Sequence, residues 1–314
     1  MSPKPTDEAK SGTDLAFFDE ATSAEVVNAR VDMARADPRL AEIVKALTRH
    51  LHAFVKEIEP SHEEWLAGIQ FLTKVGHTCT DWRQEFILLS DVLGVSMLVD
   101  SINSRRPSGA TENTILGPFY VVNPPDRANG ETICLDGKGE PLIVRGQVTG
   151  VNGECLAGAT IDVWQTNDDG FYDVQQKGVQ PDMNMRGRFT ADEQGRYSFR
   201  SVRPRHYPIP DDGPVGQLLV GLGRHPNRAA HIHVIVSAEG YDTVITHIFE
   251  PNCQYLRDDP VFGVKASLIG DFRRNTDTGA AARAGYPDAS FFWELTAGFV
   301  LTPSTGKKAF VHQV

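Results

Sequence analysis

The spacing of apolar residues divides the chain into a helical first part and a β-rich second part. Between residues 22 and 105, apolar side chains recur at steps of three and four, which is the period of an amphipathic helix. The first predicted helix carries an apolar stripe formed by Ile43, Val44, Leu47, Leu51, Phe54, Val55 and Ile58. Pro60 is expected to end this helix, because proline cannot continue a helical backbone.

Two more helices are predicted before residue 105. Ser61 followed by Glu64 is the signature of a capping box. The helix that this box opens carries Trp65, Ile69, Leu72 and Val75. A third helix carries Phe86, Leu89, Leu93 and Met97. Stripes of this kind usually face a protein core or a second subunit.

After residue 107 the pattern changes to short β-type runs separated by turn residues. Strands are predicted over 142–148, 160–164, 196–202, 230–236 and 243–249. Short strands at this spacing are typical of an antiparallel sandwich. We therefore predict an α+β protein with a flexible tail over 1–20, a helical domain over 21–110 and an antiparallel β-sandwich domain over 111–314.

Composition narrows the class of protein. The chain has 314 residues, with 31 Lys+Arg against 41 Asp+Glu, and the resulting net charge of -10 disfavours nucleic acid as a partner. Its apolar runs are far shorter than the roughly 20 residues of a membrane span, and residues 1–14 lack the apolar core of a signal peptide. The four cysteines lack the CxxC spacing of zinc sites. We expect a soluble cytoplasmic protein with no membrane partner.

Two histidines and two tyrosines are the candidate chemistry. His231 and His233 lie two apart on a predicted strand, so their imidazoles project from the same face. Tyr172 follows a turn, and Tyr207 precedes Pro208 in a stiffened segment. Two phenols and two imidazoles together suit ferric iron. Taken singly, such tyrosines are more often packing residues, and such histidine pairs are often structural.

A series of motifs gives these residues a context. In order, the chain contains TILGPFY at 114–120, DVWQTN at 162–167, GFY at 170–172, GP at 213–214 and RHPNRAAHIH at 224–233. This series resembles the intradiol ring-cleaving dioxygenases. The helical first part resembles their catechol and hydroxyquinol branch, so the resemblance covers roughly residues 20–300. Within that branch, DPVFGVK at 259–265 is most similar to hydroxyquinol 1,2-dioxygenases.

The resemblance implies a mononuclear Fe(III), one per chain, held by Tyr172, Tyr207, His231 and His233. Physical chemistry agrees, since a phenol with a pKa of about 10 ionises at neutral pH only beside a strong Lewis acid. In the family, the tyrosinate at the position of Tyr207 leaves the metal and acts as a base. Arg228 matches the family arginine that stabilises the anionic ring. His247 stands where catechol relatives have glutamine, and it is not predicted to be an iron ligand.

The resemblance also implies a substrate pocket. Its predicted lining is Leu88, Asp91, Ile115, Gly117, Pro118, Phe119, Pro208, Ile209, Arg228 and Val261. A carboxylate in an aromatic pocket needs a hydrogen-bond donor, and the third hydroxyl of hydroxyquinol is a suitable one for Asp91. The alternative for Asp91 is a charge on the helix surface or between helices.

The implied function is cleavage of hydroxyquinol (benzene-1,2,4-triol) by O2 to 3-hydroxy-cis,cis-muconate, which tautomerises to maleylacetate. Catechol or a chlorocatechol is the alternative substrate. A non-catalytic β-sandwich that binds small molecules or proteins, with the tyrosines as packing residues, is the alternative of another class. By resemblance, the helical stripes form a homodimer interface with a bound lipid in an apolar channel.

Overall fold

The computed structural model describes residues 17–81 and 83–306, and its first part is helical. Most of the tail predicted over 1–20 lies outside the described residues. The helices before residue 105 are α1 (Ser23–Ala29), α2 (Pro38–Ile58), α3 (His62–Thr78), α4 (Glu85–Val92) and α5 (Val95–Asn103). In the described part of the chain, no helix has the length and apolar character needed to cross a membrane.

The ends of α2 and α3 follow from local sequence chemistry. The Asp37 carboxylate accepts a hydrogen bond of 2.7 Å from the Leu40 backbone N–H, and α2 ends at Ile58, two residues before Pro60. The predicted capping box is present: the Ser61 N–H donates to Glu64 Oε2 at 2.9 Å, and the Glu64 N–H donates to Ser61 Oγ at 3.2 Å. Both predicted helix boundaries are therefore confirmed.

The third predicted helix is wrong as a single element. The structure contains α4 and α5 in its place, separated by Leu93 and Gly94. Gly94 has a φ of 74°, a left-handed conformation that glycine adopts without the steric cost of a Cβ. The apolar spacing continues across this break, so the periodicity does not reveal it.

The described residues form two compact units, one ending at Leu72 and one starting at Thr73. In the first unit α1 lies against α2, where His52 Nδ1 is 3.0 Å from Ser23 Oγ. The predicted apolar stripe of α2 is exposed, with 53% of Leu47 and 57% of Phe54 accessible. The domain boundary predicted near residue 110 stays a prediction.

The second unit contains the strands. They are β1 (Pro141–Gly150), β2 (Thr160–Trp164), β3 (Arg186–Thr190), β4 (Arg196–Val202), β5 (Tyr207–Pro208), β6 (Asn227–Arg228), β7 (His231–Ser237), β8 (Val244–Phe249), β9 (Phe272–Asn275), β10 (Phe292–Thr296) and β11 (Phe299–Leu301). Two further helices are α6 (Pro214–Gly221) and α7 (Thr278–Arg283). The five predicted strands correspond to β1, β2, β4, β7 and β8.

Two sheets form the sandwich. One has the order β11-β1-β10-β9 with β4 beside β1, and the other has the order β3-β2-β7-β8. Most pairings are antiparallel, as predicted, but β1 pairs in parallel with β10 and β11. A shared core joins the sheets, with Val144 and Phe199 from the first and Ile161 and Val234 from the second among its buried residues.

The alternation of side chains along β7 sets up the site. Ile232, Val234 and Val236 belong to the core between the sheets. Because neighbouring residues of a strand face opposite sides, His231 and His233 project from the other face of the same sheet. Both are nonetheless buried. Segments outside this sheet therefore cover the histidines and create an enclosed polar site.

Candidate metal centre and active site

His231 and His233 form the base of the site. Their Nε2 atoms are 3.1 Å apart, so both point to one position. His231 Nδ1 is 2.5 Å from the Ala229 carbonyl oxygen, which only a protonated Nδ1 can satisfy, and this leaves Nε2 free to bind a metal. Burial, followed by the charge of Arg228, lowers the pKa of His231 well below its usual value. Both features suit a neutral metal ligand.

Tyr172 and Tyr207 bring their phenols to the same position. Tyr172 Oη lies 2.9 Å from His233 Nε2, and Tyr207 Oη lies 3.4 Å from His231 Nε2. Tyr207 is placed by its β5 pairing with Arg228 of β6. The structure thus brings together all four side chains predicted to hold the metal.

The donor set of this cluster fits a hard trivalent cation. Burial and the neighbouring Tyr207 raise the pKa of Tyr172 well above 10, so the phenol alone would stay protonated. A cation among the four donors favours the phenolate instead; phenolate oxygens are hard ligands, and imidazole is a borderline ligand that suits iron. The residues present therefore fit the ferric ion that the resemblance implies.

His247 is a third histidine beside this cluster. It lies opposite His233 in the pairing of β7 with β8, and the two ring centroids are 4.3 Å apart. Its Nδ1 hydrogen-bonds with Thr114 Oγ1, while its Nε2 is buried without a hydrogen-bond partner among the described residues. The three histidines have potential donor atoms within 4.8 Å of one another. The prediction that His247 is not an iron ligand stays a prediction.

Arg228 adds a buried positive charge to the site. Its Nη1 lies 3.5 Å from both Tyr207 Oη and His231 Nε2. Its Nε lies 3.2 Å from Asp259 Oδ1. Burial is the largest single influence and lowers the pKa of Arg228, but the charge and hydrogen bond of Asp259 together with the two tyrosines outweigh it, so the net shift is upward and the guanidinium remains charged.

Besides Arg228, two of the predicted pocket residues contact the cluster directly. A Cβ added to Gly117 would lie 3.2 Å from His233 Cε1, so the Gly117 backbone packs against the imidazole. Phe119 stacks on Tyr172 with 4.6 Å between ring centroids and approaches Tyr207 edge-on at 6.5 Å. These contacts leave the two phenols little freedom to turn.

The other predicted pocket residues are placed by burial and by their elements. Ile209 and Val261 are buried, Leu88 and Ile115 are half-buried, and Pro118 and Pro208 are exposed. Asp91 lies on α4 and accepts a hydrogen bond from Ser96 on α5. Burial raises its pKa to about 6, an increase that Ser96 and the charge of Arg228 reduce. Asp91 is therefore within electrostatic reach of the site.

A buried ion pair behind Tyr172 was not found from the sequence. Arg186 Nε donates to Asp173 Oδ1 at 2.7 Å, and Arg186 Nη1 donates to the Phe119 carbonyl oxygen at 2.7 Å. The guanidinium lies 6.0 Å from the Tyr172 ring centroid. Arg186 thus links the residue after Tyr172 to the phenylalanine stacked on it. The sequence offered no signal for it, because no strand was predicted at Arg186 and a charged residue outside a motif is usually solvent-facing.

Comparisons with known proteins agree with this geometry. The family described as "Dioxygenase" matches residues 115–303, and "Catechol dioxygenase N terminus" matches residues 37–111. A hydroxyquinol 1,2-dioxygenase from a Rhizobium species is 57% identical over 93% of this chain and 98% of its own length. A 6-chlorohydroxyquinol 1,2-dioxygenase from Cupriavidus pinatubonensis is 49% identical over 76% of this chain and 86% of its own.

A solved structure adds the three-dimensional comparison. The crystal structure of hydroxyquinol 1,2-dioxygenase from Pseudomonas putida is similar with a TM-score of 0.85 and 42% sequence identity. The match covers 91% of this chain and 99% of the other. The similarity therefore extends over both the helical and the β-rich parts.

Proposed function

The chain belongs to the intradiol ring-cleaving dioxygenases, and we propose that it uses O2 to open the ring of hydroxyquinol between its two adjacent hydroxyl-bearing carbons. The product is 3-hydroxy-cis,cis-muconate, which tautomerises to maleylacetate. The observation that carries the proposal is the convergence of two tyrosines and two histidines at one buried position. Membership of an enzyme family removes the non-catalytic binding protein from consideration.

We propose one Fe(III) per chain, held by Tyr172, Tyr207, His231 and His233. When bound, the iron supplies a Lewis acid for the two adjacent hydroxyl oxygens of the substrate and makes the ring reactive toward O2. The side chains support this role because the imidazoles are held neutral by burial and His231 keeps Nε2 free.

Tyr207 and Arg228 are the proposed catalytic residues. As a phenolate, Tyr207 can accept the proton of the second substrate hydroxyl at its Oη atom. Arg228 Nη1 lies 3.5 Å from that oxygen, so a positive charge is already in place where the substrate becomes anionic. Because Arg228 is buried, its charge is little screened by solvent.

Asp91 is the proposed reader of the third hydroxyl in a pocket formed by the ten residues predicted above. Burial raises the pKa of Asp91 by more than its hydrogen bond from Ser96 lowers it, so the carboxylate can accept a further donor, which the extra hydroxyl of hydroxyquinol would supply. Catechol would present a ring carbon to the same carboxylate and leave that further bond unmade. A site built to bind a substrate hydroxyl rejects the analogue that lacks it, which favours hydroxyquinol over catechol or chlorocatechol.

The exposed stripe of α2 supports a homodimer as the proposed assembly. Leu47, Leu51, Phe54 and Ile58 are each more than half accessible to solvent, and they lie on one helix face. A second copy of the chain would offer the same apolar surface in return. The lipid predicted between the helices and the cytoplasmic location stay predictions.

Oxygen uptake by the iron-loaded protein tests the function. Initial rates with hydroxyquinol and with catechol are compared for the native chain and for Asp91→Asn. We expect native protein to prefer hydroxyquinol and the variant to lose most of that preference while still consuming oxygen. Faster uptake by the native protein with catechol would contradict the proposed substrate. No uptake with either compound would contradict the proposed activity.

A further inference from the structure

The loop at residues 259–263 encloses one buried carboxylate, that of Asp259. Asp259 Oδ2 accepts the Gly263 N–H at 2.8 Å, and Asp259 Oδ1 accepts the Ala229 N–H at 3.4 Å. The Phe262 N–H donates to the Asp259 carbonyl oxygen at 3.0 Å. A single side chain therefore joins this loop to the backbone just before His231.

The same carboxylate holds the Arg228 guanidinium. Arg228 Nε lies 3.2 Å from Asp259 Oδ1, and Arg228 Nη2 lies 3.5 Å from Asp259 Oδ2. Only 4% and 2% of the two side chains are accessible, so water does not compete for these contacts. Because a guanidinium is planar, fixing Nε and Nη2 also fixes the direction of Nη1. That third nitrogen points to Tyr207 Oη and His231 Nε2.

Gly263 supplies the space that the guanidinium occupies. A Cβ added to Gly263 would lie 2.8 Å from Arg228 Nη2 and 3.2 Å from Asp259 Oδ2. Both distances are shorter than ordinary van der Waals contact, and the surrounding side chains are buried. Any larger residue at 263 would therefore push the guanidinium from its position without removing a charge.

We propose that Asp259 and Gly263 position Arg228 for ring cleavage, Asp259 by orienting its guanidinium and Gly263 by leaving room for it. This inference rests on the proposed function. Asp259 is a positioning residue, since it acts through Arg228.

Three variants test this inference. Asp259→Asn removes the charge at constant shape, and Gly263→Ala displaces the guanidinium at constant charge. Asp258→Asn is the matched control, because it makes the same chemical change on the neighbouring carboxylate, which is 63% accessible and pairs with His225 at 3.0 Å. The readouts are kcat and KM for hydroxyquinol, the visible absorption band of the iron-loaded protein without substrate, and the melting temperature.

We expect kcat to fall about 10- to 100-fold in Asp259→Asn and in Gly263→Ala, as is usual when the partner that orients an active residue is lost. The absorption band should shift in both, because Arg228 Nη1 no longer faces Tyr207 Oη. The control should match the native protein in all three measurements.

A double variant separates positioning from a general structural effect. If Asp259 acts through Arg228, then Asp259→Asn should reduce kcat far less when Arg228 is already Gln than when Arg228 is present. Additive losses, or an unshifted absorption band in both single variants, would overturn the inference. Native protein that is coloured but takes up no oxygen would instead overturn the proposed function, and the band shifts would still decide the position of Arg228.

Discussion

In most proteins apolar side chains are buried and polar ones are exposed. The outer face of β7 and the stripe of α2 both depart from this distribution. On β7, His231 and His233 are polar and almost completely buried, with 1% and 2% accessible. On α2, Leu47 and Phe54 are apolar and more than half exposed. Buried polar groups require partners, and contiguous exposed apolar surface usually marks an interaction site.

The difference between the two regions indicates what each one can bind. The imidazoles of β7, with the phenols of Tyr172 and Tyr207 beside them, offer donor atoms that suit a cation. The exposed stripe of α2 offers a surface that suits an apolar partner. We therefore assign a small, charged partner to the first region and a protein partner to the second. Each assignment can be tested by changing one or two side chains.

The largest effect is expected at Tyr172. Tyr172→Phe removes one anionic donor and should bleach the iron-loaded protein and abolish oxygen uptake with hydroxyquinol. Tyr241→Phe is the control, because this phenol pairs with Glu154 on the surface and should leave colour and rate unchanged. A coloured, active Tyr172→Phe protein would remove Tyr172 from the proposed ligands.

A large loss of stability is expected at Arg186. Arg186→Met leaves Asp173 as a buried, unpaired carboxylate, which should lower the free energy of unfolding by about 3–5 kcal/mol in urea titrations. Arg196→Met breaks the exposed pair with Asp192 and should cost less than about 1 kcal/mol. Equal losses of unfolding free energy in the two variants would contradict the expectation that breaking the buried pair costs more than breaking the exposed one.

A smaller free-energy change is expected on α2. Leu47→Glu combined with Phe54→Glu places charges in the proposed dimer interface and should weaken self-association at least about 100-fold, or about 2.7 kcal/mol, in sedimentation experiments. Arg49→Glu, on another face of the same helix, should not change association. A native chain that sediments as a monomer contradicts the proposed dimer.

The smallest effect is expected from the ionisation of Asp91. Its folded pKa of about 6 exceeds its ordinary value of 3.8, so the folded state favours the neutral acid. The cost of ionising Asp91 in the folded protein is therefore absent below pH 3.8 and complete above about pH 6. A rise of about two pKa units corresponds to about 3 kcal/mol, and solvent screening reduces this at a partly exposed carboxylate, so Asp91→Asn should stabilise the protein by about 2 kcal/mol at pH 8 and by much less at pH 4.

Substrate preference should follow the same ionisation. The carboxylate is the stronger acceptor for the third hydroxyl, so the ratio of kcat/KM for hydroxyquinol to that for catechol should fall about tenfold as the pH drops through 6. In Asp91→Asn the ratio should not depend on pH in this range. A native ratio that is constant from pH 5 to pH 8 would argue against Asp91 as the reader.

The sequence predictions succeeded for features that depend on residues close together in the chain. The alternation that places His231 and His233 on one face lies within a single strand, so the seven residues of that strand were enough to predict it. The break at Gly94 was not predicted because the apolar period continues through it. The short strand β3 was missed because Arg186, a charged residue, is buried there only by its pairing with Asp173.

The arrangement around Arg228 was beyond sequence reasoning. Arg228 and Asp259 are 31 positions apart, and the space at Gly263 exists only once the loop has folded against β6. The ligand tyrosines were predicted together only through the family resemblance. Contacts between distant segments form only when the sandwich brings the segments together, so local periodicity does not predict them.

Metal analysis combined with resonance Raman spectroscopy tests the central claim most directly. The iron-loaded native chain should contain one iron per chain and show vibrations of tyrosinate bound to Fe(III) when excited in its visible band. In Tyr172→Phe, which is expected to lose its visible band, those vibrations should be absent. A native protein that binds no iron, or that binds iron without tyrosinate vibrations, would contradict the assignment of this buried cluster.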